Sequence, residues 1–397
     1  MRQKKLMLLG GIRYLLPVIE AAHEQGYYVI TADYLPDNIA HRYSDEYVNV
    51  SIIDKEAVLK VAREKEIDGI LSFGVDPGVV SASYVQTQMG IPSFGPFESV
   101  EILQNKDKFR TFLSENGFNV PWAFGFSSLE DALADTDKFS YPLIVKPTDS
   151  AGSKGVTRVD KEEDLKEALE YAFKHSIKGN IIVEEFIEKQ GCSSDSDSFS
   201  VNGVLQFVSF SAQRFDENAA GTFVPAAYSW PSTMNMQQES ELQRLLTLLH
   251  MKTAVYNIET RVGVNGKTYI MEVSPRGGGN RLSEMVRYST GVDMITAGVR
   301  AAVGDSIDGI EQKPYMGHWA EIILHSDKDG LFESLYISKS MRSYVIEEDL
   351  WVMKGDAVHF FEGANNAIGT LIMKFNSQEQ LKEALEKQGE WLHISVD

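Results

Sequence analysis

Apolar runs and amphipathic stretches alternate along the first quarter of the chain. They fall, in order, at 5–9, 15–25, 27–32, 55–65 and 69–73. Short apolar runs that alternate with amphipathic stretches predict a parallel sheet whose strands are joined by crossover helices. The alternation ends at a Pro/Gly cluster over residues 91–96. We therefore predict an N-terminal parallel α/β domain over residues 1–97.

The rest of the chain divides into two further segments. Residues 98–304 have the pattern of hairpins and longer helices, including an amphipathic stretch at 161–175. Residues 305–397 contain short strand-like runs with frequent Gly and Asp, which predict a small β-rich lobe. The strands predicted in that lobe lie at 318–324, 334–338, 357–361 and 370–375, and a last helix is predicted at 378–387.

Composition and charge exclude several classes of partner. The net charge of −19 counts against nucleic acid and anionic membranes, because both bind basic surfaces. No apolar run reaches the roughly 18 residues that a transmembrane helix needs. The single cysteine, Cys192, excludes internal disulfides and favours a reducing compartment. We therefore expect a cytoplasmic protein that binds small molecules.

A predicted hairpin in the middle segment places two acids opposite each other. Asn265-Gly266 is the preferred two-residue turn of type I′, and counting outward from it pairs Glu259 with Glu272. Facing carboxylates repel each other, so they need a proton or a cation between them. Mg²⁺ is the natural occupant, because carboxylates, phosphate oxygens and water complete its octahedron. The alternatives are a solvated hairpin edge, or a bulge that slips the register and separates the pair.

The same register places more polar groups on that face of the hairpin. Asn257 falls opposite Ser274. Arg276, two residues further along, lies on the same face if the strand continues. The face then carries two acids, two neutral oxygen ligands and a cation.

A polar loop and two lysines are candidate phosphate contacts. The apolar strand 141–146 ends at Lys146, and a loop rich in Gly and Ser follows it. The loop residues that offer amide or hydroxyl donors are Ser150, Gly152, Ser153 and Gly155. The spacing is not that of a P-loop, but such amides can fold over phosphate oxygens; a plain flexible turn is the alternative. Lys108 stands just before a predicted helix at 109–116, where a surface lysine is the ordinary interpretation.

These signals occur in one order along the chain, and that order resembles the ATP-grasp superfamily. Asp107-Lys108 is similar to the first phosphate lysine of the family, and Val145-Lys146 with its loop is similar to the second lysine and the phosphate flap. Val183-Glu-Glu-Phe-Ile187 resembles the adenine hinge, and Glu259 to Arg276 the metal hairpin. The resemblance implies a two-lobed ATP-grasp module over 98–304, after a Rossmann-like domain and before a substrate-side domain at 305–397.

The resemblance also implies a role for each residue. The residues it assigns to ATP are Lys108, Lys146, Ser150, Gly152, Ser153, Gly155, Glu184, Glu185, Phe186 and Ile187. The ligands it assigns to Mg²⁺, with Mn²⁺ as the alternative metal, are Glu259, Glu272 and Ser274. Arg276 would contact the transferring phosphoryl group, where fixed cations stabilise the charge of the transition state.

Two positions depart from the family's pattern. The family usually has Asn two residues after the second metal acid, where this chain has Ser274, so we expect weaker metal binding, with Asn257 as a compensating ligand. The family also has a ribose-binding acid soon after the hinge. Here Asp195 and Asp197 are the alternatives for that role.

Within the superfamily, the segment Glu272-Val-Ser-Pro-Arg-Gly-Gly-Gly-Asn-Arg281 is most like the L-amino-acid ligases. That likeness implies an ATP-dependent carboxylate–amine ligase, which forms an acyl phosphate on a small carboxylate, by expectation an amino acid, and joins it to an amine. By the same analogy Arg281 binds a substrate carboxylate, although it could simply begin a helix. His318 and Glu321 would border the acceptor pocket unless they only satisfy the core. Assembly as a homodimer is left open.

Two other functions also stay open. One is a bicarbonate-activating enzyme like biotin carboxylase or carbamoyl-phosphate synthase, although the chain has a single motif set and no biotin-attachment segment. The other is a nucleotide-binding module without catalysis, which the departure at Ser274 allows. The presence of both metal acids and of Arg276 favours catalysis.

Overall fold

The computed structural model describes residues 2–150, 155–216, 223–232 and 238–397. The predicted loop residues Gly152 and Ser153 therefore lie outside the described residues. Within these ranges, no helix combines the length and the apolar character that crossing a bilayer requires.

The described residues form five sheets with helices packed against them. The strands are β1 (Lys5–Leu9), β2 (Tyr28–Asp33), β3 (Glu46–Asn49), β4 (Gly69–Ser72), β5 (Ala123–Phe126), β6 (Leu143–Pro147), β7 (Thr157–Val159), β8 (Ile181–Glu185), β9 (Ser194–Val201), β10 (Val204–Phe207), β11 (Ala212–Phe215), β12 (Pro225–Trp230), β13 (Ala254–Val262), β14 (Thr268–Ser274), β15 (His318–Leu324), β16 (Gly330–Ile337), β17 (Val345–Leu350), β18 (Ala357–Val358), β19 (Gly369–Phe375) and β20 (Leu392–Val396). The α-helices are α1 (Leu16–Glu24), α2 (Lys55–Lys65), α3 (Val79–Met89), α4 (Phe97–Leu103), α5 (Lys106–Glu115), α6 (Leu129–Ala134), α7 (Leu165–His175), α8 (Glu239–Leu248), α9 (Leu282–Thr290), α10 (Met294–Ala302), α11 (Lys339–Arg342), α12 (Gln378–Glu386) and α13 (Gln388–Trp391).

The N-terminal domain is built on a parallel sheet in the order β3-β2-β1-β4. The four residues from Leu6 to Leu9 in its central strand are fully buried. A continuous apolar run of this kind is typical of a parallel strand that is covered by helices on both faces. The predicted parallel α/β fold of this segment is confirmed.

Two four-stranded sheets form the middle of the chain. The first lobe has the order β5-β8-β6-β7, and the second has the order β10-β9-β13-β14. Helix α7 covers the first sheet with the apolar stripe expected from its sequence. The buried residues of that stripe are Leu165, Ala168, Leu169 and Ala172. This spacing of i, i+3, i+4 and i+7 places them on one face of the helix.

The C-terminal lobe contains a five-stranded sheet, β11-β12-β15-β19-β17, and a smaller sheet, β18-β16-β20. The predicted β-rich character is therefore confirmed. The hairpin β11–β12 belongs to the middle segment of the sequence, yet β12 pairs antiparallel with β15. This sheet is thus assembled from both sides of the predicted boundary at 304/305, because strand edges pair in space whatever their distance along the chain.

The loop of the β13–β14 hairpin has three residues, not the predicted two. The Gly263 N–H donates to the Lys267 carbonyl (2.9 Å), and the Gly266 N–H donates to the Gly263 carbonyl (2.8 Å). Gly266 has a φ of 73°, whereas Asn265 does not have the positive φ that a type I′ turn requires. The predicted type I′ turn is therefore wrong. The geometry is that of a three-residue loop closed by a left-handed glycine.

The longer loop changes the strand register beside it. Val262 pairs with Thr268, one residue away from the partner that a two-residue turn would give. A β-bulge after Glu259 then shifts the register back by one. Glu259 consequently faces Glu272, as predicted, because two one-residue shifts cancel.

Candidate active site

Glu259 and Glu272 are direct cross-strand partners on β13 and β14, and both are half-buried. Burial, together with repulsion from Glu272, raises the pKa of Glu259 to about 7. Two hard carboxylate oxygen donors with this excess of negative charge fit a divalent cation such as Mg²⁺. The residues present therefore suit the metal that the sequence predicts.

The hydroxyl of Ser274 is largely engaged by other side chains. Its Oγ donates to Asp76 Oδ1 (3.0 Å) and accepts from Gln104 Nε2 (2.8 Å). A hydroxyl has one proton and two lone pairs, so one lone pair is left for a metal. The amide nitrogen of Asn257, the alternative ligand, donates to Asp195 (2.6 Å) and to Asp197 (3.3 Å). Its amide oxygen is the atom that would bind a metal.

The lysine beside the acid pair is Lys106, whereas the predicted Lys108 is exposed on α5. Lys106 Nζ lies 3.3 Å from Glu272 Oε2 and donates to the Ser150 carbonyl at 3.4 Å. Burial alone would lower the pKa of Lys106, but the Glu272 and Asp76 carboxylates raise it above its usual value. The geometry thus replaces Lys108 by Lys106 as the candidate first phosphate lysine, because the Lys108 side chain points to solvent.

Lys146, at the end of β6, lies in a buried ion network. Its ammonium donates to Glu184 Oε1, and Arg110 Nε donates to Glu184 Oε2 at 3.0 Å. Burial raises the pKa of Glu184, but the Arg110 and Lys146 charges outweigh it and hold the pKa at about 2. Glu184 therefore anchors two cations, one at each of its carboxylate oxygens, and the hinge role expected of it stays a prediction.

The predicted adenine hinge follows β8. The Glu185 N–H donates to the Trp122 carbonyl (2.9 Å), and the Ile187 carbonyl accepts from Arg261 (3.3 Å). The Arg158 guanidinium lies 4.2 Å from the centroid of the Phe186 ring. The adenine contacts expected of Glu185, Phe186 and Ile187 stay predictions.

The described ends of the predicted phosphate flap have defined contacts. The Ser150 carbonyl accepts from Lys106, which ties the start of the loop to the acid pair. Gly155 has a φ of 76°, and a Cβ there would approach Pro147 Cγ to 2.8 Å. Glycine at this position is therefore explained by the backbone conformation, whatever the loop binds.

Arg276 is buried and held by an acid from the N-terminal domain. Its Nε and Nη2 donate to Asp76 Oδ1 (2.8 Å) and Oδ2 (2.6 Å) in a bidentate pair. Burial raises the pKa of Asp76, but Arg276 lowers it below its usual value. The turn after β4 thus fixes the direction of this guanidinium beside Ser274.

Residues 139–284 match the family model described as an ATP-grasp domain. The chain contains an ATP-grasp domain. Among known sequences, it is 24% identical over 323 residues to the carbamoyl phosphate synthase large chain, C-terminal section, of Aquifex aeolicus. That alignment covers 77% of this chain and 59% of the Aquifex protein, so the chain spans only part of the relative's length.

Solved structures resemble the whole chain. The L-amino acid ligase from Bacillus licheniformis superposes with a TM-score of 0.82 at 22% identity, and the match covers 100% of both chains. N5-carboxyaminoimidazole synthetase from Staphylococcus aureus, in complex with ADP, superposes with a TM-score of 0.74 at 13% identity over 97% of both chains. At these identities the likeness establishes the shared fold.

Arg281, at the start of α9, is already paired with other side chains of the protein. Its donors contact Glu284 (2.8 Å), Glu347 (2.7 Å) and Thr370 (3.0 Å). A guanidinium has five N–H donors, and this set uses most of them. The pairing counts against the predicted contact between Arg281 and a substrate carboxylate.

Asp195 and Asp197 lie on β9, opposite Glu259 and Asn257 respectively. Both are buried; Asp197 accepts from the Gly278 N–H (2.9 Å), and burial raises its pKa to about 6. These acids support the metal hairpin and the glycine-rich loop after it. Their placement counts against the ribose role that we considered for them.

Sequence reasoning missed Lys106, Arg110 and Asp76. Lys106 precedes the buried Arg110 by four residues and so shares its face of α5, but the helix predicted at 109–116 did not include Lys106. Asp76 stands in an Asp-Pro-Gly turn that looks like an ordinary connection, and its partner Arg276 is 200 positions away. Local pattern therefore carries no signal for the Asp76–Arg276 pair.

Proposed function

We propose that this chain is an ATP-dependent ligase that phosphorylates a small carboxylate and joins it to an amine. The released products are ADP and phosphate. The proposal extends the ATP-grasp assignment to a reaction and to the residues that perform it.

One observation carries the proposal: buried cations converge on an acid pair in a protein whose net charge is −19. Lys106 and Arg276 lie on the side of Glu272 and Ser274, and Lys146 adds a third cation from β6. Each cation is held by an acid of the protein: Lys106 by Glu272, Arg276 by Asp76 and Lys146 by Glu184. The three are therefore fixed around the acid pair, where a polyphosphate bound with its metal would meet cations beside the phosphates and carboxylates beside the metal.

Two steps make up the proposed reaction. First, a carboxylate oxygen of the substrate attacks the γ-phosphorus of ATP, and the bond from that phosphorus to the β–γ bridging oxygen breaks, so that ADP leaves. Second, the nitrogen of a neutral amine attacks the acyl carbon. The carbon–oxygen bond to phosphate then breaks, phosphate leaves, and the nitrogen loses a proton.

The side chains of this site have separate tasks in the first step. Lys106 and Lys146 bind phosphate oxygens, and Arg276 stabilises the charge on the transferring group. Glu259 and Glu272 would hold Mg²⁺, which neutralises the phosphate charge when bound. Asp76 keeps Arg276 in one orientation, since its bidentate pair fixes the plane of the guanidinium.

A bicarbonate-activating reaction is the second candidate. Its support is the similarity to the carbamoyl phosphate synthase large chain. Bicarbonate would then replace the organic carboxylate as the phosphoryl acceptor, at the same ATP and metal residues.

A nucleotide-release screen tests the proposal. The chain is incubated with ATP and MgCl₂ against amino acids, sugar acids and bicarbonate, each with and without amines, and ADP, AMP and phosphate are quantified. We expect ADP and phosphate with one class of carboxylate, a loss of turnover in EDTA, and the same loss in Glu272→Gln but not in the surface variant Glu311→Gln. Release of AMP would overturn the proposal. Nucleotide binding without turnover for every acceptor would identify a non-catalytic module instead.

A further inference from the structure

Glu321 is a buried acid without a partner. It lies on β15, in the middle of the five-stranded sheet, and its side chain is 0% exposed. Neither of its carboxylate oxygens has a hydrogen-bond partner in the part of the chain that the structure describes. An unpaired ionised carboxylate in such a place is costly, so a retained one needs a proton or a cation. Core satisfaction, the alternative weighed from the sequence, does not account for it.

The charges around Glu321 are unbalanced toward the negative. Glu284 and Glu347 lie close by, and both are paired with Arg281. Three carboxyl groups thus surround one guanidinium, whose donors point at the other two acids and at Thr370. Burial raises the pKa of Glu321 well above its usual value, and Arg281 opposes that rise only in part. Without a cation beside it, Glu321 therefore holds a proton, and a cation bound there would displace that proton.

Aromatic and amide groups line the same region. Tyr228 is the direct cross-strand partner of Glu321, and the pKa of Tyr14 is raised by burial and by the Glu321 charge. Asn280 links the two phenols: it accepts from Tyr14 Oη (2.9 Å) and donates to Tyr228 Oη (3.1 Å). The rings of Trp230 and Tyr228 stack at 6.1 Å. An acid next to aromatic rings is a chemistry that suits an organic cation.

The acid cluster adjoins the proposed active site. Asn280 belongs to the glycine-rich loop that begins at Arg276, and Tyr228 donates to Asp195, which lies opposite Glu259. A cavity of about 10 Å³, room for one water-sized group, is lined in part by Tyr14, Arg281 and Glu284, which are neighbours of Glu321; Glu321 itself does not line it.

We propose that Glu321 is the anion of a subsite that binds an ammonium group of a substrate. This inference rests on the proposed function, because the subsite serves the same reaction. The ammonium group belongs either to the carboxylate substrate or to the amine acceptor. Glu321 selects for that positive charge, while the phosphate side of the site is unchanged.

Thermal unfolding with matched probes tests the subsite. Wild type, Glu321→Gln and the surface control Glu311→Gln are compared in the presence of Mg·ADP. Alanine against propionate tests whether the ammonium group belongs to the carboxylate substrate. Ethanolamine against ethylene glycol tests whether it belongs to the amine acceptor. We expect one ammonium probe to raise the melting temperature of wild type and of Glu311→Gln. Its half-saturation should be at least tenfold weaker in Glu321→Gln, and its counterpart without the ammonium group should have no effect. The pair that responds identifies the source.

Three results would overturn the subsite. They are an absence of stabilisation by either ammonium probe, an equal response in Glu321→Gln, and an equal response to KCl. The shift caused by Mg·ADP alone separates the two proposals. If Mg·ADP stabilises the protein and the ammonium probes do not, only the subsite fails; if Mg·ADP has no effect, the proposed function fails.

Discussion

Replacing Lys106 by alanine should weaken nucleotide binding, whereas replacing Lys108 should not. The two lysines stand two residues apart in the same first turn of α5, so the variants differ little in their effect on the helix. The Lys106 side chain is 20% exposed and contacts Glu272, while Lys108 faces solvent. A phosphate bound at the acid pair would lie within reach of Lys106 alone.

The size of the effect follows from the lost hydrogen bond. A charge-assisted hydrogen bond contributes about 1.5–3 kcal/mol. That range corresponds to a dissociation constant about 10- to 150-fold higher. The ion pair with Glu272 is partly exposed and contributes only about 0–1 kcal/mol in the free protein, so breaking it on binding offsets little of the loss.

Calorimetric titration with Mg·ADP measures this difference, since ADP is not turned over. We expect Lys106→Ala to bind at least tenfold more weakly than wild type, and Lys108→Ala to stay within twofold. A larger loss in Lys108→Ala would refute the geometric reasoning and restore the lysine inferred from the sequence. An unchanged affinity in both would place the nucleotide elsewhere.

Three further variants test the rest of the site. Glu184→Gln leaves two buried cations uncompensated and should lower the free energy of unfolding by about 3–5 kcal/mol, measured in urea. Because the pKa of Glu184 is depressed to about 2, its contribution to the free energy of unfolding should be complete above about pH 5. That contribution should fade as the pH falls toward 2. Asp76→Asn should lower turnover about 10- to 100-fold, because Arg276 is no longer held in one orientation, while the affinity for Mg·ADP stays unchanged. An equal loss of Mg·ADP affinity would argue against a role of Asp76 in positioning Arg276. Glu272→Gln should lose Mg²⁺-dependent turnover without losing stability, and retained turnover would exclude it as a metal ligand.

The parts of the fold that depend on local pattern were predictable. The fully buried run from Leu6 to Leu9 and the amphipathic stripe of α7 each carry their own periodicity. The pairing of Glu259 with Glu272 was predicted too, but only because the longer loop and the bulge cancel. Neither the loop length nor the bulge is visible in a count of residues from Asn265-Gly266.

Side-chain direction and long-range contacts were not predictable. The helix predicted at 109–116 begins three residues later than α5 does, so neither Lys106 nor Lys108 could be assigned to a helix face. Asp76 approaches Arg276 only because the N-terminal domain packs against the second lobe. The hairpin β11–β12 pairs across the predicted domain boundary for a similar reason: strand edges meet through tertiary packing.

The most direct test of acyl-phosphate formation follows a carboxylate oxygen. With the carboxylate substrate labelled with ¹⁸O, one label should appear in the released phosphate, because the attacking oxygen becomes the bridge of the acyl phosphate and leaves with phosphorus. Mass spectrometry of the phosphate measures the transfer, with Glu272→Gln as the inactive control. Coupled product with unlabelled phosphate, or a label in AMP, would contradict the proposed mechanism.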